Sequence, residues 1–509
     1  MQVTLAAVPT PGDRHRQAEN LGLRYLAAVG RAAGHNVELL EATDSRLTIE
    51  DFVREVARGF PDVVGLAVQF ANQAAPTVRA ATLLREALPS AALIAGGQAL
   101  NFGWEDLLEI APAFTAVACF EAEGTFASFL RWCELGRPDP PPSGLYLRED
   151  SRVVFTGFAE PPSVLDDLPF PARDVESRVY GEPNFVLLTS RGCQSSCTFC
   201  SSGFFGNRYH AQPRWRTRSV GNVMDELSIL HGDHGARAVS IVDDDFFGGK
   251  AADATGRRRA RGLATALGAA EFGLAFSIEL RADETVAAAA ELTELSEVGL
   301  AHVLIGVDAL TQRDLKLYSK RVTFDVVRDA VSIIAGLGLS ASFGAILFNP
   351  LTTPSDLTEG IATLQDLGIA KSDHLTNKLQ IYRGSPLVSY FERQDAAVTW
   401  DPVLFRYDYP LDAGASMTHA AYAALASEAK PRELAIARAK FRLATGMTST
   451  DPVSIAALNG AEASLSTQLC EEATRVIDKP GRAPTERFAA ALRAVDRAVG
   501  CLAPASAGA

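Results

Sequence analysis

Three cysteines fall within the segment Thr189-Ser-Arg-Gly-Cys193-Gln-Ser-Ser-Cys197-Thr-Phe-Cys200. Their spacing is C-x3-C-x2-C. Thiolates are soft ligands, and three on one short loop can take three irons of a cubane cluster, leaving the fourth iron open to an outside ligand. Two other uses of the same residues stay open at this point. A zinc site asks for four protein ligands, and His210 would complete one. A ferredoxin-like electron carrier asks for a fourth cysteine. The remaining cysteines, Cys119, Cys133, Cys470 and Cys501, are remote in the sequence and read as small hydrophobes.

The cysteines follow a strand signal, Phe185–Thr189, which opens a series of six. The others are Ala238–Val242, Leu274–Leu280, His302–Val307, Ser340–Phe348 and Asn377–Tyr382, with helical patterns such as Val220–His231, Glu284–Val298 and Phe324–Leu337 between them. Six β/α units in succession predict a partial (β/α)6 barrel over residues 184–386, with the cysteines at the carboxyl end of its first strand, where barrel active sites sit. Residues 387–509 are Ala-rich and predict a mainly helical region.

Upstream, apolar runs at Val3–Val8, Val37–Leu40, Val63–Phe70, Ala92–Ala95 and Ala116–Phe120 alternate with amphipathic segments such as Leu21–Ala33, closed by Gly34. This pattern predicts a doubly wound, Rossmann-like α/β domain over residues 1–140, binding at the carboxyl ends of its strands. A Pro-rich linker with a hairpin, Leu145–Arg148 and Val153–Thr156, fills residues 141–183.

The cysteine segment, with aromatic Phe199 before its last cysteine, resembles the signature of the radical S-adenosylmethionine (SAM) superfamily. The chain also resembles the subfamily with an N-terminal cobalamin (B12)-binding-type domain. The segments that carry this are Asn20-Leu-Gly-Leu, Ile94-Ala-Gly-Gly97 and Glu121-Ala-Glu-Gly-Thr-Phe126. The resemblance implies a [4Fe–4S] cluster on Cys193, Cys197 and Cys200, whose open iron is chelated by SAM. Electron transfer then yields methionine and a 5′-deoxyadenosyl radical that abstracts a substrate hydrogen. An external donor such as a flavodoxin or ferredoxin would supply the electron, and cobalamin is the further candidate cofactor.

The resemblance also suggests cofactor-binding residues at the strand ends. The second strand ends Val242-Asp-Asp-Asp-Phe-Phe247, and one of Asp243, Asp244 or Asp245 would face the SAM amino group, with Asp243 and Asp245 the cofactor-binding candidates. Ser277, Glu279 and Arg281 share one face of the third strand; Glu279 suits ribose hydroxyls and Arg281 the methionine carboxylate. Asp308 stands where many relatives have glutamate, and the sixth segment brings Tyr382 and Arg383. Asp314-Leu-Lys-Leu-Tyr-Ser-Lys320-Arg321 also fits the family. Tyr407, Asp408 and Tyr409 are candidates for the substrate side. Asp13-Arg-His15-Arg-Gln-Ala18 partly matches a cobalt-ligating motif, making His15 a candidate axial ligand.

The leading function is cobalamin-dependent C-methylation of a small, polar metabolite in natural-product biosynthesis. The alternatives are a dehydratase, deoxygenase or rearrangement enzyme with a vestigial cobalamin domain, for example on an aminoglycoside, and a non-enzymatic cluster or corrinoid carrier. A net charge of −13 (48 basic, 61 acidic residues) argues against a general grip on nucleic acid. Local basic groups remain at Arg214, Arg216 and Arg218 and at Arg257 to Arg259. No stretch approaches the ~18 apolar residues of a membrane span, and the N-terminus lacks a signal-peptide pattern, so the expected address is cytoplasmic.

Overall fold

The computed structural model describes residues 1–9, 16–17, 19–41, 47–100, 103–150, 152–175, 178–179, 182–202, 214–250, 254–402, 406–446, 448, 451–479, 481 and 483–502. His15 and His210 lie outside these residues. The apolar runs of the first region form parallel strands: β1 (Gln2–Ala7), β2 (Asn36–Glu41), β3 (Val63–Ala67), β4 (Ala92–Gly96) and β5 (Ala116–Ala118). Their order is β2-β1-β3-β4-β5. The direction of winding reverses between β1 and β3, which opens a crevice at their carboxyl ends.

The hairpin expected in the linker belongs to this sheet. Strands β6 (Leu145–Glu149) and β7 (Arg152–Phe155) extend it antiparallel, with Ala116 opposite Leu147 and Ala118 opposite Leu145. The three-residue β5 would otherwise present unpaired backbone on its outer side. Leu145 and Leu147 are buried there with Phe126 and Phe129.

A second parallel sheet follows with strands in chain order: β8 (Phe185–Leu187), β9 (Ala238–Ile241), β10 (Ala275–Arg281), β11 (Leu300–Ala309) and β12 (Ser340–Ile346). The sixth segment, Asn377–Tyr382, joins through single bridges, Phe348 to Lys378 in parallel and Ile381 to Tyr407 antiparallel. Long helices at Ala413–Ala444, Pro452–Asp478 and Glu486–Gly500 complete the chain. Their buried Leu465, Leu469, Phe488 and Val495 are continuous with the core under β8–β12. Among the described residues, no helix is long and apolar enough to cross a membrane.

The two α/β regions are joined by a buried chain of alternating charges. Arg24 Nε donates to Glu41 (2.8 Å) and its Nη1 to Glu19 (3.0 Å). Glu19 also pairs with Arg173, whose Nη2 reaches Glu226 at 2.6 Å. Arg218 closes the chain on Glu226 at 2.5 Å. Three arginines balance three glutamates, all nearly inaccessible to solvent. Removing one member strands a buried charge, which costs about 3–5 kcal/mol. Glu226→Ala is therefore expected to lower stability by that order, read as a lower urea midpoint. An unchanged midpoint would show that the chain of charges does not join the regions.

Candidate active site

The cysteine loop leaves β8 at Leu188 and is fastened at its root by Asp243, two residues beyond the end of β9 at Ile241. The Asp243 carboxylate accepts from Thr189 N (2.6 Å), Thr189 Oγ1 (2.5 Å), Ser190 N (3.0 Å) and Ser190 Oγ (2.7 Å). Arg259 lies 3.6 Å away, and the Asp243 side chain is fully buried. A carboxylate has about four acceptor positions, and all are taken. Asp243 is thus a clasp for the loop, which corrects the expectation that it faces an amino group of SAM.

The two acids that follow do different work. Asp244 is exposed and accepts from Gly192 N (3.0 Å) and Ser202 Oγ (2.5 Å), tying both flanks of the cysteine loop. Asp245 is buried and closes the turn after it by accepting from Phe247 N and Gly248 N, both at 3.0 Å. Glu284 packs beside Asp245, and burial followed by that neighbour pushes its carboxyl well above the usual range.

Further contacts fix the loop's middle. Gln194 N donates to Gly248 O (2.9 Å) and Ser195 Oγ to Gly249 O (2.7 Å). Thr198 donates through N to Tyr318 O (3.0 Å) and through Oγ1 to Leu317 O (2.7 Å). Phe199 packs edge-on against Tyr318, ring centroids 5.3 Å apart. Gly249 has φ +80°, and a Cβ there would stand 2.2 Å from Cys193 Sγ, so only glycine lets the turn approach the sulfur.

The cysteines have unequal surroundings. Cys197 is buried and accepts from Arg281 Nη1 at 3.5 Å. Cys193 accepts from Ser195 N at 3.4 Å. Burial, then Asp245, pushes the Cys193 thiol up. Cys119 is buried in the core of the first sheet and Cys470 among the C-terminal helices, Cys133 lies on the helix Glu123–Glu134, and Cys501 is exposed near the C-terminus. Among the described residues, no three His, Cys, Asp or Glu groups gather as one metal ion would require. Three thiols on a clasped loop, with N–H donors aimed at two of the sulfurs, suit a cubane whose irons each take one cysteine.

Around the loop, Glu279 lies on β10 facing the strand-end acids. Burial, then Asp244, Asp243 and Asp245, pushes it up to about 7. Arg281 is turned to Cys197, Asp283 and the Lys320 carbonyl, not to an open carboxylate site. Asp308 has φ +62° and pairs with the buried Lys320. A Cβ on Gly306 would meet Lys320 Nζ at 3.0 Å and Asp308 Oδ2 at 3.1 Å, so the pair rests over a glycine. Tyr382 donates to Gln380 (2.5 Å) and packs, with Trp400, against the core of the first sheet. Tyr407 stacks edge-on with Trp400, while Tyr409 is buried and donates to Leu379 O.

A cavity of about 420 Å³ runs from the first sheet to the cysteine loop. Its apolar wall includes Leu5, Leu66 and Ile94, and its far side includes Gly192, Ser202 and Asp244. Gly97 lines it with φ +126°, where a Cβ would stand 2.4 Å from Val68 O. An ion network seals one rim. Arg191, two residues before Cys193, donates to Glu121 (2.9 Å) and Glu123 (2.6 Å), and Arg216 pairs with the same Glu121. Of the basic groups read from the sequence, Arg216, Arg218 and Arg259 are buried in ion pairs and Arg258 is exposed.

Two family models match, the B12 binding domain over residues 13–130 and the radical SAM superfamily over residues 187–362. A methyltransferase of uncharacterized role from Pyrococcus horikoshii, PH0819, is 30% identical over 385 residues, covering 72% of this chain and 79% of that protein. This chain belongs to the radical SAM superfamily. An anaerobic magnesium-protoporphyrin IX monomethyl ester cyclase from a Synechocystis strain is 25% identical over 347 residues, 66% of each chain. The solved structure of the cobalamin-dependent radical SAM enzyme OxsB, with aqua-cobalamin and SAM bound, shares the fold. Its TM-score is 0.69 at 17% identity, covering 99% of this chain and 84% of that one.

For a radical SAM protein, Lys320, Arg191 and Glu284 are the site residues that sequence reasoning passed over. Lys320 stood inside a family-like segment without a role. Arg191 adjoins the cysteines, and only the fold brings Glu121 and Glu123 to it. Gly249→Ala tests the loop geometry: the added methyl and the left-handed backbone, a strain of roughly 1–2 kcal/mol, are expected to leave substoichiometric iron after anaerobic reconstitution while far-UV circular dichroism is unchanged. Full iron loading of the variant would contradict the packing of Gly249 on Cys193.

Proposed function

We propose that this radical SAM enzyme binds a [4Fe–4S] cluster through Cys193, Cys197 and Cys200, with cobalamin in the cavity between the two sheets, and C-methylates a small, polar metabolite in natural-product biosynthesis. The observation that carries the reading is the continuity of that cavity, from the carboxyl ends of β1, β3 and β4 to Gly192 and Ser202 beside the cysteines. When bound, the cluster supplies the electron that cleaves SAM to methionine and a 5′-deoxyadenosyl radical, and cobalamin carries the methyl group.

The chain's own residues then have these tasks. Asp243 and Asp244 hold the cysteine loop against β9. The Glu279 carboxylate, without a hydrogen bond among the described residues, accepts from the amino or ribose groups of SAM at the mouth of the second sheet. Asp308, oriented by Lys320, is the second ribose acceptor. Asp245 and Phe199 shape the floor beneath, and Tyr382 covers the side facing the first sheet. Gly97 lets the backbone of the first sheet approach a corrin closely. The apolar wall suits the ring face, and the ion-paired rim suits its polar periphery. A flavodoxin or ferredoxin supplies the electron.

The test is anaerobic reconstitution of the full chain with and without hydroxocobalamin. Corrinoid retention is followed by visible spectra, and 5′-deoxyadenosine and S-adenosylhomocysteine by mass spectrometry. Wild type is expected to retain corrinoid and form 5′-deoxyadenosine under reducing conditions. Cys197→Ala is expected to lose SAM cleavage by at least the 10³-fold typical of removing an essential group. Cleavage by a protein that retains no corrinoid would replace methylation with dehydration or rearrangement. No cleavage at all would overturn the reading.

A further inference from the structure

Arg281 ends β10 at the edge of the cysteine loop, and the family resemblance would give it the methionine carboxylate. Its guanidinium is already engaged elsewhere. Nε donates to Asp283 Oδ1 at 2.8 Å, and Nη2 donates to Asp283 Oδ2 at 3.1 Å and to the Lys320 carbonyl at 2.9 Å. These bonds fix the fork in one orientation. The remaining nitrogen, Nη1, lies 3.5 Å from Cys197 Sγ. Both residues are 8% exposed, so water does not screen the contact. The ammonium of Lys320, 4% exposed and paired with Asp308, adds a second cation on the same side.

Among the described residues no cation donates to Cys193, whose sulfur accepts from the neutral Ser195 N–H and whose neighbours include Asp245 and Asp244. The two sulfurs therefore differ in their donors: an ion-paired guanidinium N–H lies against Cys197, and a neutral backbone N–H against Cys193. Hydrogen bonds to cysteine sulfur and nearby charge set the potential of an iron–sulfur cluster. A cation in contact with sulfur favours the form that carries one more electron.

We propose that Arg281 is a potential-setting residue: its N–H···S bond to Cys197, held by Asp283, raises the reduction potential of the cluster and so eases its reduction by the external donor. This rests on the three-cysteine cluster reading above. In this role Arg281 acts through Cys197 and leaves the methionine carboxylate of SAM to other groups.

The experiment is a potentiometric titration of the reconstituted full chain without SAM, followed by electron paramagnetic resonance of the reduced cluster. Wild type, Arg281→Gln and Arg281→Lys are compared at measured iron content. At the wild-type midpoint, Arg281→Gln is expected to have a reduced-to-oxidised ratio at least about tenfold lower, a shift of ~59 mV for one electron. Arg281→Lys keeps the charge without the fork and is expected between the two. Where Arg281→Gln holds no cluster, Arg281→Lys decides alone. Unchanged midpoints at full iron loading, with only SAM affinity weakened, would overturn the proposal and return Arg281 to the carboxylate. A wild-type protein with no three-cysteine cluster would overturn the underlying reading as well.

Discussion

A buried carboxylate holds the position of a loop that has little regular structure of its own. Asp243 takes two backbone and two hydroxyl hydrogen bonds from Thr189 and Ser190, and Arg259 neutralises it from the other side. The three cysteines follow within ten residues, so every sulfur position depends on that anchor. Asp244 then ties Gly192 and Ser202, and the Gly248–Gly249 turn lies close enough to Cys193 that no side chain fits between them. The strand end of β9 thus acts as a template onto which the loop of β8 is laid.

The same logic of buried, compensated charge sets how the two α/β regions meet. Each ionic chain alternates sign, which limits the desolvation penalty that isolated buried charges would carry. One chain, from Glu41 to Arg218, fixes the helices beneath the sheets. The other, through Arg191, Glu121, Glu123 and Arg216, lies on the rim of the cavity beside the cysteines. The crevice of the first sheet and the cysteine loop of the second therefore open into one space, and a ligand spanning both would lie next to the cysteines.

Much of this was legible in the sequence because parallel strands are buried on both faces and read as apolar runs. The five parallel strands of the first sheet and the five of the second stand where those runs lie. The segment Asn377–Tyr382 carries the same signal, yet it makes only single bridges, since nothing in its composition reports whether a neighbouring edge is within reach. The hairpin was legible as a hairpin, but not as an edge of the first sheet. The cysteine segment stood out by its spacing, while its reading as a cluster loop came from the family resemblance. The roles of Asp243, Asp244 and Asp245 were not legible, because three successive acids look alike until the backbone turns each in a different direction. Arg216 and Arg218 looked like surface charge for a related reason: their glutamate partners are distant in the chain and adjacent only in the fold.

The central claim is that three cysteines hold a cluster with one iron open to SAM. It is tested most directly by electron paramagnetic resonance of the reduced, reconstituted protein, recorded with and without SAM carrying isotopic labels in its amino and carboxylate groups. The account expects SAM to change the cluster signal and the labels to appear as hyperfine coupling. A cluster signal that SAM leaves unaltered, with no coupling to either label, would contradict it.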